Sequence, residues 1–335
     1  MLVIGGTVFL GHAVVAEALS AGANVTAFNR GKSGGVPGDV EHVVGDRTSD
    51  TDLRQLAGRA FDIVVDTCGY VPVDVARSAE LLAGSCGHYA FVSSISVYPG
   101  WPADEDYRAR GTFDGRPDAS RAEVPEGMPP GSDYGWLKVG CELAVRRAFG
   151  DERCTILRAG AIVGPHDGAV GRLPWWIDRV SRGGEILTPG RADRPIELID
   201  ARDLAQFALH AVPGVIDTPG PGGRDTWDDL LTACVVATGS DPAFTWVDDE
   251  WLAGQGVEEW TEMPLWVPPS SGPSVFATDS TAAQAAGLHW RPLAATVMDT
   301  FEWMQALPEP WRPAPRTPGL APDKERGLLD AWHSR

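Results

Sequence analysis

The sequence is short of what several protein classes need. Its 335 residues hold five cysteines, Cys68, Cys86, Cys141, Cys154 and Cys234, odd in number and scattered. None forms a CxxC pair, so neither a disulfide framework nor a zinc site follows, and the pattern is that of a reduced, cytoplasmic protein. The seven histidines show no metal-ligand spacing, and no metal is expected. No apolar run reaches the roughly 18 residues of a membrane span. The first strand starts at Met1 or Leu2, which leaves no room for a signal peptide. Basic residues are scarce: 28 Lys and Arg stand against 46 Asp and Glu, for a net charge of −18. That balance argues against nucleic acid or an anionic membrane as partner and serves solubility.

What is present is a globular chain, 43% hydrophobic, long enough for one large or two ordinary domains. It opens on Met1-Leu2-Val3-Ile4-Gly5-Gly6-Thr7-Val8-Phe9-Leu10-Gly11. A strand entering a Gly-rich turn and then a helix is built to hold a pyrophosphate, because backbone N–H groups and the helix dipole favour an anion there. Strands are predicted at Leu2–Ile4, Asn24–Asn29, Glu41–Val44, Phe61–Thr67, His88–Ser94 and Cys154–Ala159. Helices are predicted at Leu10–Ala21, Asp74–Ala83 and Tyr134–Phe149. Such alternation predicts an α/β fold with a doubly wound parallel sheet, ligands collecting beyond its C-terminal strand ends.

Pro99–Asp133 breaks the rhythm and reads as a substrate lid or as disorder. Beyond it the composition shifts: eleven of thirteen tryptophans follow residue 150. Trp246, Trp251, Trp260 and Trp266 read either as a small domain's core or as an aromatic wall for a substrate. Ala201–Val212, Trp227–Thr238 and Ala294–Leu307 read as helices. Pro308–Pro322 is a Pro-rich connector, and Lys324–Trp332 an amphipathic terminal helix.

Two clusters carry chemistry. Tyr134 and Lys138 stand at i and i+4, on one helix face. A free phenol titrates near 10, too high for easy proton exchange at neutral pH, and a neighbouring ammonium favours the phenolate. Ser94 falls at a strand end on the ligand edge, where a hydroxyl can hydrogen-bond a substrate oxygen. At the end of strand two, Phe28-Asn29-Arg30-Gly31 offers an arginine where an NAD-specific domain offers an acid. That suits the 2′-phosphate of NADP over NAD.

The glycine turn, the strand-end serine and the Tyr/Lys helix occur in one order. With Ser-Ser-Ile-Ser-Val-Tyr (93–98), Tyr-Gly-Trp-Leu-Lys (134–138), Leu-Arg-Ala-Gly-Ala-Ile-Val-Gly-Pro (157–165) and Ile-Asp-Ala-Arg-Asp-Leu-Ala (199–205), the chain resembles the short-chain dehydrogenase/reductase superfamily, in its extended, epimerase/dehydratase-like branch. The resemblance implies a Rossmann-type domain over 1–164, with later segments near 196–218 returning to it. It also implies a smaller α+β substrate domain over 165–307 and a connector with terminal helix over 308–335. It implies a catalytic triad of Ser94, Tyr134 and Lys138 and an adenine contact from Asp46. The full set of expected cofactor positions is Gly5, Gly6, Thr7, Val8, Phe9, Leu10, Gly11, Asn29, Arg30, Asp46, Arg47, Thr67, Cys68, Gly69, Tyr134 and Lys138.

Two departures bear on the reaction. Val8 stands where the branch has a middle glycine, giving the Gly-Gly-x-x-x-x-Gly form of an atypical subgroup. Ile95 and Ser96 stand where dehydratases carry an Asp-Glu pair, which argues against loss of water. Arg194 lies near, not at, the position of the arginine that sugar-nucleotide epimerases use on a diphosphate. The expected function is an NADP(H)-dependent oxidoreductase acting on a carbonyl or secondary alcohol of a small molecule. The alternatives are an NAD-dependent nucleotide-sugar epimerase and a non-catalytic dinucleotide-sensing or RNA-binding protein. The resemblance further implies a homodimer built through a helical bundle that includes the Tyr/Lys helix.

Overall fold

In the computed structural model, residues 1–100, 107–120, 132–168, 171–271, 276–312 and 319–335 are described. The chain divides into two compact units. The first comprises Met1–Gly160, Ala201–Pro219 and Thr278–His289, the second Ala161–Asp200, Gly220–Ala277 and Trp290–Arg335.

The first unit begins with β1 (Leu2–Ile4), α1 (Phe9–Ser20), β2 (Thr26–Asn29), β3 (Glu41–Val44), α2 (Asp50–Leu53), β4 (Phe61–Asp66), α3 (Pro72–Leu82), β5 (Cys86–Ser94), α4 (Ser132–Phe149) and β6 (Cys154–Ala159). The second unit contributes β7 (Ala161–Val163), α5 (Arg172–Ser181), β8 (Glu185–Pro189), β9 (Pro195–Ile196) and β10 (Leu198–Asp200). The chain then returns to the first unit for α6 (Ala201–Ala208) and β11 (Gly214–Thr218). It leaves again for β12 (Asp225–Thr226), α7 (Trp227–Thr238), β13 (Ala243–Val247) and α8 (Asp249–Gly254). The short α9 (Thr281–Ala285) belongs to the first unit, while α10 (Leu293–Gln305) and α11 (Pro322–His333) complete the second.

Seven parallel strands form the main sheet in the order β11-β6-β5-β4-β1-β2-β3. Its strands are apolar on both sides: Leu2, Val3 and Ile4 are each at most 1% exposed. Continuous burial of this kind is expected where helices cover both faces. Under one face lie Phe28, Val64, Tyr89, Phe91 and Ile156, packed with Val75 and Leu82 of α3 and Cys141 and Val145 of α4. Strand order reverses between β1 and β4, so the switch point, where such sheets bind ligands, lies at their C-terminal ends.

Strand β2 starts at Thr26, two residues later than its composition suggests. The Asn24 carbonyl accepts from the Met1 ammonium at 2.7 Å, and the Thr26 N–H donates to the Met1 carbonyl at 3.0 Å, so the pairing with the first strand runs on just before both strands. Helix α6 ends at Ala208, not Val212, because the chain turns there through Ala211, held at φ 52.

The second unit is small and mixed, with β7–β10 and β8–β13 paired in parallel and β9–β12 antiparallel. Its core is where the tryptophans go. Trp176, Trp227 and Trp266 are fully buried, with Trp246, Trp251 and Trp260 packed against them. The Trp176 and Trp227 rings meet edge to face at 5.3 Å, and Trp176 Nε1 donates to the Pro264 carbonyl at 2.9 Å. Of the aromatic cluster, Trp266 lies within this core, and Trp246, Trp251 and Trp260 pack against it while partly exposed. The terminal helix α11 is tied in by the buried Arg179–Glu325 pair at 2.8 Å. Trp227→Ala is expected to cost about 3–5 kcal/mol in urea unfolding followed by circular dichroism. A loss below about 1 kcal/mol would contradict a core role.

Candidate functional site

The site is built at the switch point from the turn after β1 and the turn after β4. Gly5 and Gly6 take φ of 114° and 98°, conformations open to glycine but strained for other residues. A Cβ on Gly5 would lie 2.5 Å from Thr67 Oγ1, and one on Gly11 would lie 2.5 Å from the Gly6 nitrogen. All three glycines are therefore required for the turn to close onto α1 and the β4 end. Thr67 locks the two turns together, its N–H and Oγ1 both donating to the Ile4 carbonyl at 3.1 and 3.2 Å. Phe9 sits at φ 43, a strained position for a non-glycine residue, and Leu10 is buried beneath it. Val8, the residue in place of the middle glycine, is the extended N-cap of α1 and offers no side-chain cap. The first N–H groups of α1 thus have no side-chain acceptor at the cap, which is the arrangement that receives an anion.

At the end of β2, Asn29 Nδ2 donates to the Gly5 carbonyl at 2.8 Å, and its Oδ1 accepts from the Gly31 N–H at 2.9 Å. Asn29 therefore holds the glycine turn to its neighbouring strand. Arg30 is exposed, as is Lys32, a second cation that sequence reading missed. Both face Asp46. The Asp46 carboxyl lies below its ordinary pKa, chiefly through hydrogen bonds from Thr48, with help from these two charges. Its Oδ1 accepts from the Thr48 N–H and hydroxyl at 3.0 and 2.9 Å.

The guanidinium of Arg47, a residue expected at the cofactor, turns inward and makes a two-pronged pair with buried Asp66 at 2.9 and 2.8 Å. Ser78 accepts from it at 2.6 Å, and the Tyr89 hydroxyl donates to the same Asp66 at 2.8 Å. Burial alone would raise the Asp66 pKa, but Arg47 and these hydrogen bonds outweigh it and hold it low. The Arg47 side chain is a structural brace under the switch point. Cys68 follows on the same turn, and burial pushes its thiol up, so it offers no ready thiolate.

The expected chemistry-bearing groups lie on β5 and on α4, which packs against the turn after β5. Ser94 closes β5 and caps the turn Ile95–Val97. It accepts from the Ser96 N–H at 3.1 Å and donates to Ser96 Oγ at 3.0 Å. Helix α4 crosses that turn closely, because a Cβ on Gly135 would run into the Ser96 carbonyl. Gly135 thus sets Tyr134, 37% exposed, beside the turn that Ser94 caps. Lys138, one helical turn on, is 3% exposed. Its ammonium donates to the carbonyls of Gly69 and Val92 at 2.9 and 2.6 Å, joining the turn after β4 to β5. It lies 4.4 Å from the Phe91 ring centroid and 6.0 Å from that of Tyr134. Burial lowers the Lys138 pKa. Tyr70, 53% exposed, brings a second phenol ring within 5.5 Å of the same ammonium. Its signal in the sequence was an aromatic directly after the small residues of the β4 turn.

Part of the expected lid lies outside the described residues, namely 101–106 and 121–131. Its stretch 107–120 packs onto the first unit. Tyr107 is buried, Phe113 N–H donates to the Val97 carbonyl at 2.9 Å, and Val73 N–H donates to that of Ala119 at 3.1 Å. In the second unit, Arg194 is paired with Asp249 at 2.8 Å. Among the described residues no cluster could hold a metal ion, and no helix is long and apolar enough to cross a membrane.

The sequence profile of the NAD dependent epimerase/dehydratase family matches residues 1–218. No curated protein matches the chain by sequence. Among solved structures, the UDP-N-acetylglucosamine 4-epimerase of Bacillus cereus is similar, at 17% identity and a TM-score of 0.64, over 92% of this chain and 97% of that one. The UDP-glucose 4-epimerase of Thermus thermophilus in complex with NAD is 17% identical, with a TM-score of 0.61, over 91% and 99% of the two chains. The Bordetella bronchiseptica enzyme WbmH in complex with NAD+ is 16% identical, with a TM-score of 0.64, over 91% and 97%. At these identities the likeness is one of fold.

The Arg47–Asp66 brace has a pH signature. The folded-state pKa of Asp66 is depressed, so its stabilisation is complete above the unfolded value of about 4 and is lost as pH falls through the lower folded value. Asp66→Asn should therefore cost most stability near neutrality, and the gap to wild type should narrow on acidification below about pH 4. Urea unfolding across that range checks this; a gap independent of pH would contradict it.

Proposed function

The chain belongs to the NAD dependent epimerase/dehydratase family, and from that premise we propose that it exchanges hydride between NADP(H) and a carbonyl or secondary alcohol of a small molecule. The observation that carries this reading is the buried Lys138 ammonium beside the exposed Tyr134 ring, on a helix set against the Ser94 turn by Gly135.

The nucleotide has a fitting cradle. The tight glycine turn and the α1 N-terminus without a side-chain cap suit a pyrophosphate. Gly5, Gly6 and Gly11 would hold it with the backbone of Thr7 to Leu10, while Thr67, Cys68 and Gly69 would line the adjoining turn. Arg30 and Lys32, with no acid on β2, favour a 2′-phosphate. Asp46 would meet the adenine. When bound, the nicotinamide supplies the hydride chemistry.

The chain's own groups handle the oxygen. Ser94 Oγ, whose one proton now goes to Ser96 Oγ, would turn that proton to the substrate oxygen and fix its place. Tyr134 gives that oxygen its proton during reduction and takes it back during oxidation. The Lys138 charge favours the phenolate left behind. Two of the three Lys138 donors are used by Gly69 and Val92, and the third would hold the nicotinamide ribose.

A second reading, an epimerase of a nucleotide-linked sugar, is supported by the family and by the likeness to UDP-sugar epimerases. The engagement of Arg194 with Asp249 weighs against it, since that arginine is the nearest candidate for a diphosphate contact. Native mass spectrometry separates the two: tightly retained NAD supports the epimerase, and an empty site that takes up NADPH supports the reductase.

Tyr134→Phe is expected to lower turnover about 100- to 10,000-fold while leaving NADPH affinity within about twofold of wild type. Full turnover in that variant would overturn its role. NADPH should bind at least about tenfold more tightly than NADH, or about 1.4 kcal/mol, and Arg30→Ala should remove most of that preference. Equal affinities in calorimetry would overturn the NADP assignment.

A further inference from the structure

Tyr134 and Lys138 are not the last members of their helix face. Glu142 stands four residues beyond Lys138, in the same row along α4. It is 3% exposed. A buried carboxylate is costly unless paired and hydrogen-bonded, and Glu142 has both kinds of partner. Arg158 of β6 holds it with two prongs, Nε at 3.1 Å from Oε1 and Nη2 at 2.7 Å from Oε2. Ser93 Oγ of β5 donates to Oε1 at 2.5 Å.

The sequence neighbour of Ser93 is Ser94. Glu142 therefore ties the helix that carries Tyr134 and Lys138 to the strand end that carries Ser94. The tie extends further: Arg158 Nη1 donates to the Tyr98 hydroxyl at 2.8 Å, just beyond the Ser94-capped turn. Tyr98 in turn donates to buried Asp217 at 2.8 Å, which also accepts from Tyr107 at 2.9 Å. Both ends of the turn are thus bound into one network with α4. Without Glu142, α4 would be held by apolar packing and by the two Lys138 bonds, to Gly69 and Val92. The Glu142 link adds a second directional tie, one turn further along the helix, to β5 and β6.

We propose that Glu142, held by Arg158 and Ser93, is a positioning residue that sets the height of Tyr134 against Ser94. This rests on the hydride-transfer reading above for its purpose, though the geometry it describes does not. Misplacement of a reacting group by about 1 Å costs on the order of 100-fold in rate, so a directional link has a use here that a structural ion pair elsewhere lacks.

Fluorotyrosine placed at position 134 reports the phenol's surroundings by fluorine NMR, with no substrate needed. Glu142→Gln and Ser93→Ala should both move that resonance and its pH midpoint. Glu325→Gln breaks the buried Arg179 pair of the second unit and serves as the control for lost stability. It should lower the melting temperature and leave the resonance in place. With NADPH and a carbonyl compound turned over by wild type, kcat should fall about 10- to 100-fold in Glu142→Gln at unchanged KM for NADPH. The double variant Glu142→Gln/Arg158→Gln should regain stability without regaining the wild-type resonance. Resonances of Glu142→Gln and Ser93→Ala that coincide with wild type, or an equal shift in Glu325→Gln, would overturn the proposal. Turnover retained in Tyr134→Phe would instead overturn the hydride-transfer reading and leave the positional result standing.

Discussion

The buried ammonium of Lys138 is the constraint on which the candidate site depends. It joins the turn after β4 to β5 and ties α4 to both. Burying an ammonium is unfavourable, and the lowered pKa of Lys138 reflects that cost. Two carbonyl acceptors and the Phe91 ring face at 4.4 Å offset it. The same bonds satisfy the carbonyls of Gly69, in the turn after β4, and Val92, within β5, which buried backbone requires.

Around that pin, the structure repeatedly uses buried charge to hold turns in place. Arg47 and Asp66 brace the turn after β4 from below. Glu142 and Arg158 link α4 to β5 and β6. Asp217 gathers Tyr98, Tyr107 and Arg108 and so fastens the stretch after Tyr107 to β11. Buried pairs of this sort are weak evidence for stability, because apolar replacements often serve as well. Their geometry is directional, however, and each sits next to a backbone segment that the proposed chemistry needs fixed.

Local signals in the sequence were legible. The glycine turn could be read because its conformation depends on residues within a few positions of each other. The same holds for the i, i+4 spacing of Tyr134 and Lys138, and for β3, β6 and α7, whose bounds agree with those read from the sequence. The inward turn of Arg47 was not legible, since its partner Asp66 lies on another strand and an arginine beside a ligand edge looks the same in either rotamer. Glu142 was hidden for the same reason: Ser93 and Arg158 are distant in sequence, and a glutamate in a helix reads as surface. The tryptophan cluster left two readings open, because burial and ligand contact demand the same side chains.

The most direct measurement is of Lys138→Met, which keeps the length of the side chain and removes its charge and donors. If Lys138 pins the site, the carbonyls of Gly69 and Val92 lose this partner, at about 1–3 kcal/mol each, and NADPH affinity falls at least about tenfold, or about 1.4 kcal/mol. Thermal unfolding and NADPH calorimetry on the one variant read both. A variant as stable as wild type that binds NADPH as tightly would contradict this role for Lys138.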